Sequence, residues 1–349
     1  MKIFFTLIFV ALYFVSFAQP ISILKGKNIA SIENSKLTGF DISLNTQNIQ
    51  FQSIKTAEGI FFKAFSDDFG VSLEVGNPEL PVFNRLIEIP ANAEIEISVV
   101  NKKEEIINLS KFEITSYLFP HQNSVMKNET AEPDFIFNKD EYKKDKFYSL
   151  PVASVQYLGE MRGIKLARLS ISPFSYNPIS NELKIISSIS LQVRFLNADI
   201  EATRLLKQKT YSSSFQFSPS EILNAETFYL VTPTFQQYAE KYVIVADSAF
   251  GQTLKPFVKM KSRQGFKVIE AYLQDSAVGS TKSSIKAYLQ GLYNGATAFD
   301  PAPAYVLFVG DVTQIQPFTG VAAITHITDL YFCEFTGDAF PNALWKIFL

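Results

Sequence analysis

The run YVIVA at residues 242–246, which Asp247 follows, decides the fold of the second half of this chain. Five apolar or aromatic residues in succession predict a strand that is buried on both faces, as strands of parallel sheets are. A similar run, Ala304–Val309, lies further along and is followed by Gly310 and Asp311. Helix, strand and helix are predicted between the two runs. The order βαβαβ therefore indicates a doubly wound α/β domain with right-handed crossovers.

Local signals predict the elements between the two runs. Pro256 is tolerated only in the first turn of the first helix, and Gly265 stands where the C-terminal cap of that helix is expected. The next strand is predicted over Phe266–Tyr272, and Ser280 is a favourable N-cap for the second helix. Apolar residues at helical spacing give that helix one buried face; they are Ile285, Tyr288, Leu289 and Leu292.

The first half, residues 20–198, has a different pattern. Short segments alternate apolar and polar residues between Gly, Pro, Asn and Asp turns, which predicts strands. The clearest segments are Gly59–Phe65, Arg85–Ile89, Ile95–Val100, Ile164–Ile171 and Leu183–Phe195. The last of these can fill one buried face, with a bulge or break near Ser187 and Ser188. We expect a β-rich domain, either a sandwich or a barrel.

Composition excludes several classes of function. The 349 residues suffice for two domains, and an apolar share of 47% argues against disorder. A net charge of -2 creates no field that attracts nucleic acid, so no nucleic-acid partner is expected. Cys333 is the sole cysteine, so an internal disulfide is impossible. The sequence has no metal-ligand cluster and no Gly-rich phosphate loop, so we predict neither a metal nor a cofactor.

Residues 1–19 have the layout of a secretory signal peptide. One Lys precedes the apolar run Ile3–Phe17, and small residues at Ser16 and Ala18 suit a cleavage site. The run is shorter than the roughly 20 residues of a membrane-spanning helix, which argues against an anchor. We expect cleavage near Ala18 or Gln19, with the secretion machinery as a partner.

Residues 199–238 lack a clear period and are predicted to be a linker. Arg204, Lys207 and Lys209 precede the polar stretch YSSSFQFSPS at 211–220. An exposed, flexible chain with basic residues is a place where a protease can cut. An ordinary linker with solubilising charges explains these residues equally well.

The second half resembles the start of the gingipain-type cysteine peptidase domain of family C25. The segments that carry the resemblance are, in order, YVIVA at 242–246, LKPF at 254–257, GFKV at 265–268, STK at 280–282 and YVLFVGD at 305–311. The run TDLY at 328–331, followed by Gly337-Asp338 and Pro341, looks like the family segment before its next strand. The resemblance implies an incomplete, caspase-like α/β peptidase domain over residues 239–349.

The first half is similar to the propeptide that precedes this peptidase domain. The similar segments are GNPELP at 76–81, Arg162-Gly163 and PFSYNP at 173–178. The resemblance implies a bacterial precursor that is secreted or carried on the cell surface. It also implies an intramolecular contact between propeptide and peptidase, and protein or peptide substrates for the complete protein.

The catalytic residues of this family are expected downstream of the matched segments. Its Cys nucleophile and its His base lie in motifs that do not occur here, so we predict no catalytic residue in this chain. Cys333 lies in the apolar stretch YFCEF and is expected to be structural. His121 is expected in a surface loop, and pairing of His326 with Cys333 is not expected.

Three aspartates are candidates for a site. Ligands of doubly wound sheets bind at the carboxyl ends of the strands, which places Asp247 and Asp311 near any site. Asp311 is expected to cap a helix or loop amide. The resemblance aligns Asp329 with an acidic position that in some members lines the primary specificity pocket, so it implies a substrate-binding role for Asp329.

The sequence after Pro341, NALWKIFL at 342–349, departs from the family pattern. We expect a peptidase domain truncated by a frameshift, a premature stop or an incomplete gene model, and inactive as it stands; a natural short protein is the alternative. Three functions remain open. They are a cysteine endopeptidase precursor, a secreted non-catalytic binding or inhibitory module, and a surface scaffold or adhesin.

Overall fold

A computed structural model describes residues 20–124, 133–218, 220–319 and 327–335. The predicted signal peptide, His326, the Gly337-Asp338 turn and the C-terminal stretch lie outside the described residues. The strands are β1 (Ile21–Lys25), β2 (Ile29–Lys36), β3 (Gly39–Asn45), β4 (Asn48–Thr56), β5 (Gly59–Phe65), β6 (Gly70–Val71), β7 (Pro81–Ile89), β8 (Glu94–Asn108), β9 (Tyr148–Ser149), β10 (Ala153–Met161), β11 (Ile164–Ile171), β12 (Phe174–Asn177), β13 (Glu182–Leu196), β14 (Lys241–Ala246), β15 (Lys267–Tyr272), β16 (Pro303–Val309), β17 (Phe318–Thr319) and β18 (Ile327–Thr328).

Four α-helices are described: α1 (Ile200–Thr210), α2 (Ala225–Phe228), α3 (Gly251–Arg263) and α4 (Lys282–Asn294). Three 3-10 helices cover Leu109–Phe112, Ser248–Phe250 and Leu330–Cys333. Within the described ranges, every helix is too short or too polar to cross a bilayer.

The β-rich half is a sandwich, one of the two predicted alternatives. One sheet has the order β10-β11-β7-β6, and the facing sheet has the order β2-β3-β13-β12-β9 with β8 also paired to β13. Buried apolar side chains from β3, β7, β11 and β13 fill the space between them; they include Phe40, Leu44, Ile87, Leu169, Leu191 and Val193. A third sheet, β1-β4-β5, closes a second cluster at one end. The core therefore draws on strands from the whole first half.

The predicted strands of this half are confirmed. The bounds of β5 and β11 match the predicted segments, and β7, β8 and β13 contain the other three. The pairing of β13 with β8 shifts register between Ile186 and Ser188, which confirms the bulge expected near Ser187. The extra residue lets the strand continue with its apolar side chains still directed into the core.

The second half has the predicted order βαβαβ. Its parallel sheet has the order β15-β14-β16, with β14 in the centre. Val243 and Val245 face the cluster that contains α4, whereas Ile244 and Ala246 face the cluster that contains α3. Because successive residues of a strand point to opposite faces, the continuous apolar run is what two covered faces require. The doubly wound arrangement is confirmed.

Two local predictions in this half need correction. Pro256 is the sixth residue of α3, which begins at Gly251, so it lies beyond the first turn. The N-cap of α4 is Thr281 rather than Ser280. Thr281 accepts a hydrogen bond from the backbone N–H of Ser284, whose hydroxyl bonds back to the N–H of Thr281, and this reciprocal pair outcompetes a cap one residue earlier.

The predicted linker contains regular structure. Asp199 caps α1 by accepting a hydrogen bond from the N–H of Ala202 (2.9 Å). The helix lies against the sandwich through Thr203. The hydroxyl of Thr203 accepts a hydrogen bond from the N–H of Ala91 (2.9 Å) and donates one to the carbonyl of Asp199 (2.7 Å). Lys207 is buried against the same surface, so the interpretation of this residue as a solvated charge is wrong. The domain boundaries themselves stay predictions.

Candidate functional site

The carboxyl ends of the parallel strands bring Asp247 and Asp311 to one edge of the sheet, as predicted. Ala246 is in register with Val309, so the two aspartates follow neighbouring strand ends. The carboxylate of Asp247 accepts hydrogen bonds from the N–H of Ala249 (2.8 Å) and from the side-chain amide of Gln274 (3.0 Å). Asp247 therefore holds the start of the 3-10 helix that follows β14.

Asp311 also stabilises a local turn. Its carboxylate accepts the N–H of Val312 (2.7 Å), and its own N–H donates to the side-chain oxygen of Gln314 (2.8 Å). Its carbonyl accepts the N–H groups of Gln314 and Ile315. The capping role predicted for Asp311 is confirmed, and its side chain is exposed at the strand end.

Asp329 precedes the 3-10 helix Leu330–Cys333 and is exposed. The helix is fixed by Phe332, whose fully buried ring contacts the rings of Phe308 (4.7 Å) and Phe318 (4.8 Å). The carbonyl of Asp329 accepts the N–H of Phe332 (3.1 Å), and its side chain caps no N–H. Its substrate-binding role stays a prediction that rests on an exposed carboxylate with a fixed backbone.

Cys333 is a free, partly buried thiol. Burial raises the pKa of Cys333, an effect that the nearby positive charges of Arg162 and Lys286 oppose and the carboxylate of Asp329 reinforces. A raised pKa leaves the group as a thiol at neutral pH, and a thiol is a poor nucleophile. The burial of Cys333 thus differs from the exposed setting that activates a cysteine, and it outweighs the nearby positive charges.

His121 lies in the sandwich half and is not the surface loop residue that we predicted. Its side chain is 17% exposed, and its Nδ1 lies 2.6 Å from a carboxylate oxygen of Glu79, which is itself buried. Lys63 binds the other oxygen of Glu79 (3.0 Å). This arrangement anchors a loop against β5, and it occupies His121 with a hydrogen bond.

The sandwich contacts the α/β unit through the hairpin between β10 and β11. Arg162, at the turn of this hairpin, donates from Nη2 to the carbonyl of Ala304 (2.5 Å) and lies over the ring of Phe215 (3.5 Å). Burial lowers the pKa of Arg162. Tyr293 of α4 donates to the carboxylate of Glu160 in β10 (2.7 Å). The predicted contact between the two halves therefore includes a partly buried arginine and a tyrosine.

This contact lies at the amino end of β16, whereas Asp247 and Asp311 lie at the carboxyl ends of their strands. Ala304 is the second residue of β16, whereas Asp311 follows its carboxyl end. At about 3.3 Å per residue the two positions are roughly 20 Å apart along the strand. The described contacts between the halves therefore support the sheet from the end opposite Asp311.

Sequence reasoning missed the burial of three charged residues, Glu88, Lys207 and Lys241. Glu88 and Lys207 form an ion pair (2.7 Å) with side chains 4% and 6% exposed, beside a cavity of about 40 Å³ that Arg162 also lines. Lys241, at the amino end of β14, pairs with Asp300 (2.8 Å), which also binds Lys267. The sequence gives only a weak signal for this burial, because Glu88 is marked only as a charged residue within the apolar pattern of a predicted strand. Among the described residues, no His, Cys, Asp and Glu side chains are grouped so that they could hold a metal ion.

The β-sandwich and the doubly wound α/β unit correspond to two successive family matches. The family model of the C25 propeptide matches residues 25–226, and the model of peptidase family C25 matches residues 236–347. The chain belongs to the C25 family of gingipain-type peptidases, as a precursor with a propeptide and part of a peptidase domain.

Two curated relatives agree with this assignment. Lys-gingipain of Porphyromonas gingivalis is 30% identical over 310 residues, which are 88% of this chain and 18% of the relative. Gingipain R2 of the same organism is 24% identical over 317 residues, 86% of this chain and 40% of the relative. A solved structure of gingipain K from P. gingivalis, described for its zymogenic latency, has 27% identity and a TM-score of 0.49 over 52% of this chain and 100% of that chain. The chain spans less than half the length of these curated relatives.

Proposed function

We propose that this chain is the front part of an exported gingipain-like cysteine endopeptidase precursor. The observation that carries the proposal is the tandem order of the two family matches, propeptide at 25–226 and peptidase at 236–347. In the complete protein, a cysteine thiolate attacks the peptide carbonyl, and water hydrolyses the resulting acyl-enzyme. Residues outside those described here supply the nucleophile and the base.

The sandwich acts as a support for the incomplete α/β unit. Arg162 and Tyr293 join the two halves where β16 begins and where α4 ends. The ring of Phe215 covers Tyr305 of β16 (5.4 Å). Since these contacts lie away from the carboxyl ends of the strands, they favour a chaperoning role of the propeptide over direct obstruction of the site by these residues.

The 349-residue chain has no peptidase activity of its own. The supporting observation is Cys333, whose pKa is raised by burial, next to an anchoring phenylalanine. The test incubates the purified chain with peptides that have basic or non-basic residues before the scissile bond, with and without a thiol alkylator. We expect no alkylator-sensitive cleavage; cleavage that both the alkylator and Cys333→Ser abolish contradicts the proposal.

Asp329 contributes to specificity in the complete protein. An exposed carboxylate on a fixed backbone attracts a basic substrate side chain, and one relative bears the name Lys-gingipain. In the complete enzyme, Asp329→Asn should raise KM for peptides with Lys or Arg before the cut and leave peptides with apolar residues there unchanged. Equal effects on both peptide classes would remove Asp329 from the specificity pocket.

Export to the medium or cell surface follows from residues 1–19. Fractionation of the producing bacterium should locate the protein outside the cytoplasm, with a new N-terminus near Gln19.

Translation of the nucleotides beyond the codon for Leu349 in three frames separates the precursor from a non-catalytic binding module. A Gly-His-Gly turn and a later Cys support the precursor; an unrelated gene supports the module, for which the sandwich has a self-contained core.

A further inference from the structure

The basic residues of the predicted linker, residues 199–238, are protected from a protease. Arg204 lies inside α1, where the chain is helical rather than extended. The side chain of Lys207 is only 6% exposed. The ammonium of Lys209 lies over the ring of Tyr293 (5.1 Å), and its carbonyl accepts the N–H of Ala302 (2.7 Å). A protease needs an exposed segment that can adopt an extended form, so none of these three bonds is a suitable target in the folded chain.

No other basic residue is available at the junction. After Lys209 the next Lys or Arg in the sequence is Lys241, which starts β14 and is 4% exposed. An endopeptidase that requires a basic side chain before the cut therefore finds no accessible bond between α1 and β14.

The segment 232–239 has the opposite properties. It forms neither helix nor strand, and its backbone groups make no backbone hydrogen bond with any other described residue. Phe235 is 66% exposed at its centre. The neighbouring Gln236 is held only through its side-chain amide, which accepts the N–H of Ser213 (3.1 Å) and donates to the carbonyl of Tyr238. A protease can draw this segment into its cleft without opening any described hydrogen bond between two backbone groups.

Other exposed apolar residues nearby are less accessible at the backbone. Leu230 is 80% exposed, but it lies in a turn closed by the hydrogen bond from the N–H of Val231 to the carbonyl of Phe228 (3.1 Å). Phe299 is 75% exposed, but it lies in a loop closed by the bond from the N–H of Thr297 to the carbonyl of Asp300 (3.1 Å). Exposure of the side chain and freedom of the backbone coincide at Phe235.

We propose that the Phe235–Gln236 bond is the processing site of this precursor, and that the processing enzyme is an endopeptidase with a pocket for a large aromatic or apolar side chain. The inference rests on the proposed precursor function. A second observation agrees with it: the propeptide match ends at residue 226 and the peptidase match begins at residue 236. Water adds across the bond, the C–N bond breaks, and the products are a carboxylate on Phe235 and an ammonium group on Gln236. The endopeptidase that processes this precursor therefore differs from a peptidase that cuts after Lys or Arg.

Limited digestion of the purified, folded chain tests the proposal. Low amounts of chymotrypsin and of trypsin act in parallel, and mass spectrometry identifies the first cuts. We expect the first chymotryptic cut to separate residues 235 and 236, and we expect trypsin to leave residues 199–241 intact during that time. A first chymotryptic cut elsewhere in the predicted linker, or early tryptic cutting after Lys207 or Lys209, overturns the proposal.

Three variants, each checked by circular dichroism, sharpen the test. Phe235→Gly should slow the junction cut by chymotrypsin at least tenfold, whereas the matched control Leu73→Gly, at a 68% exposed apolar residue of the sandwich half, should leave its rate unchanged. Phe235→Arg should transfer the cut to trypsin at the same bond, which a merely destabilised chain would not do. Resistance of Phe235→Arg to trypsin at residue 235, or cutting at Phe299 as fast as at Phe235, refutes the argument from backbone freedom.

The mature form from the producing bacterium gives the physiological readout. Its N-terminal residue should be Gln236, and an N-terminus that follows a Lys or Arg contradicts the proposal. These experiments report which bond opens, whereas the peptide assays report substrate turnover. Failure of the processing site is thus distinguishable from failure of the precursor function.

Discussion

The two halves of the molecule show what burial of a sheet requires. In the sandwich, β13 has partners on both sides, and its Leu191 and Val193 are 1% and 0% exposed. In the α/β unit, β14 also has two partners and is buried almost throughout, whereas β16, at the edge of the described sheet, is mostly half-buried. Both strands of the α/β unit carry similar apolar runs. Neighbours, rather than sequence, therefore decide how much stabilisation each run provides.

A pair of matched leucines measures this difference directly. Leu191→Ala in β13 removes a fully buried side chain and should lower the free energy of unfolding by about 3–5 kcal/mol. Leu307→Ala in β16, where the leucine is half-buried, should cost about 1–2 kcal/mol. Urea denaturation followed by circular dichroism gives both values. Equal losses at the two positions would mean that β16 is covered as completely as β13.

The same comparison explains what the sequence could predict. Strands β5 and β11 were predicted with their bounds, because Gly turns delimit them and alternate residues are apolar. Asp311 was predicted to cap a loop amide because its position after a buried strand is local information. Asp329 stays a prediction, since a specificity pocket needs walls that the described residues do not form.

Long-range polar contacts could not be predicted. Helix α1 was missed because the side it buries carries Thr203 and Lys207, whose polarity conceals the helical period. The partner of Arg162 is a carbonyl 142 residues away, and a backbone carbonyl leaves no trace in the sequence. Burial of polar groups depends on partners that only the tertiary structure brings together.

The Glu88–Lys207 ion pair holds α1 against the sandwich, so α1 is not part of a flexible linker. Lys207→Met leaves the buried carboxylate of Glu88 without its counter-charge and should cost about 3 kcal/mol at pH 8. The double variant with Glu88→Gln has no buried charge and should recover at least half of that loss. Urea denaturation at pH 8 provides the comparison. A single variant as stable as the wild type would show that α1 is held by other contacts.

The pH dependence of the free energy of unfolding tests the ionisation of Glu88 in the same pair. Burial raises the pKa of Glu88 from 4.5 to about 7, although Lys207 opposes the shift. The folded state then binds more protons than the unfolded state between these values, so stability falls as pH rises from about 4.5 through 7. We expect a loss of about 2–3 kcal/mol between pH 5 and pH 8 from this group.

The double variant Glu88→Gln Lys207→Met isolates the contribution of the pair, because it shares every other titrating group with the wild type and leaves no buried charge unpaired. The carboxyl groups of Asp41 and Asp300, whose hydrogen bonds lower their pKa values, stay ionised in both states over this range. Subtracting the two pH profiles should leave a stability that decreases with pH. A difference that is flat or increases with pH would contradict the raised pKa of Glu88.

The smallest effect should arise where the two halves meet. Arg162→Ala removes the hydrogen bond to Ala304 and the contact with Phe215, a loss of about 1–2 kcal/mol. Because only the amino end of β16 loses its support, hydrogen exchange in the peptide 303–309 should accelerate while exchange in β13 stays unchanged.

Arg204→Ala is the matched control for this effect, since Arg204 pairs with the exposed Glu201 of the same helix, and it should alter stability by less than about 0.5 kcal/mol. Faster exchange in β13 together with β16 would show that Arg162 stabilises the whole molecule as one unit. No change in the peptide 303–309 would show that the edge strand does not depend on the sandwich. Either result would replace the picture of a self-sufficient sandwich that supports the α/β sheet.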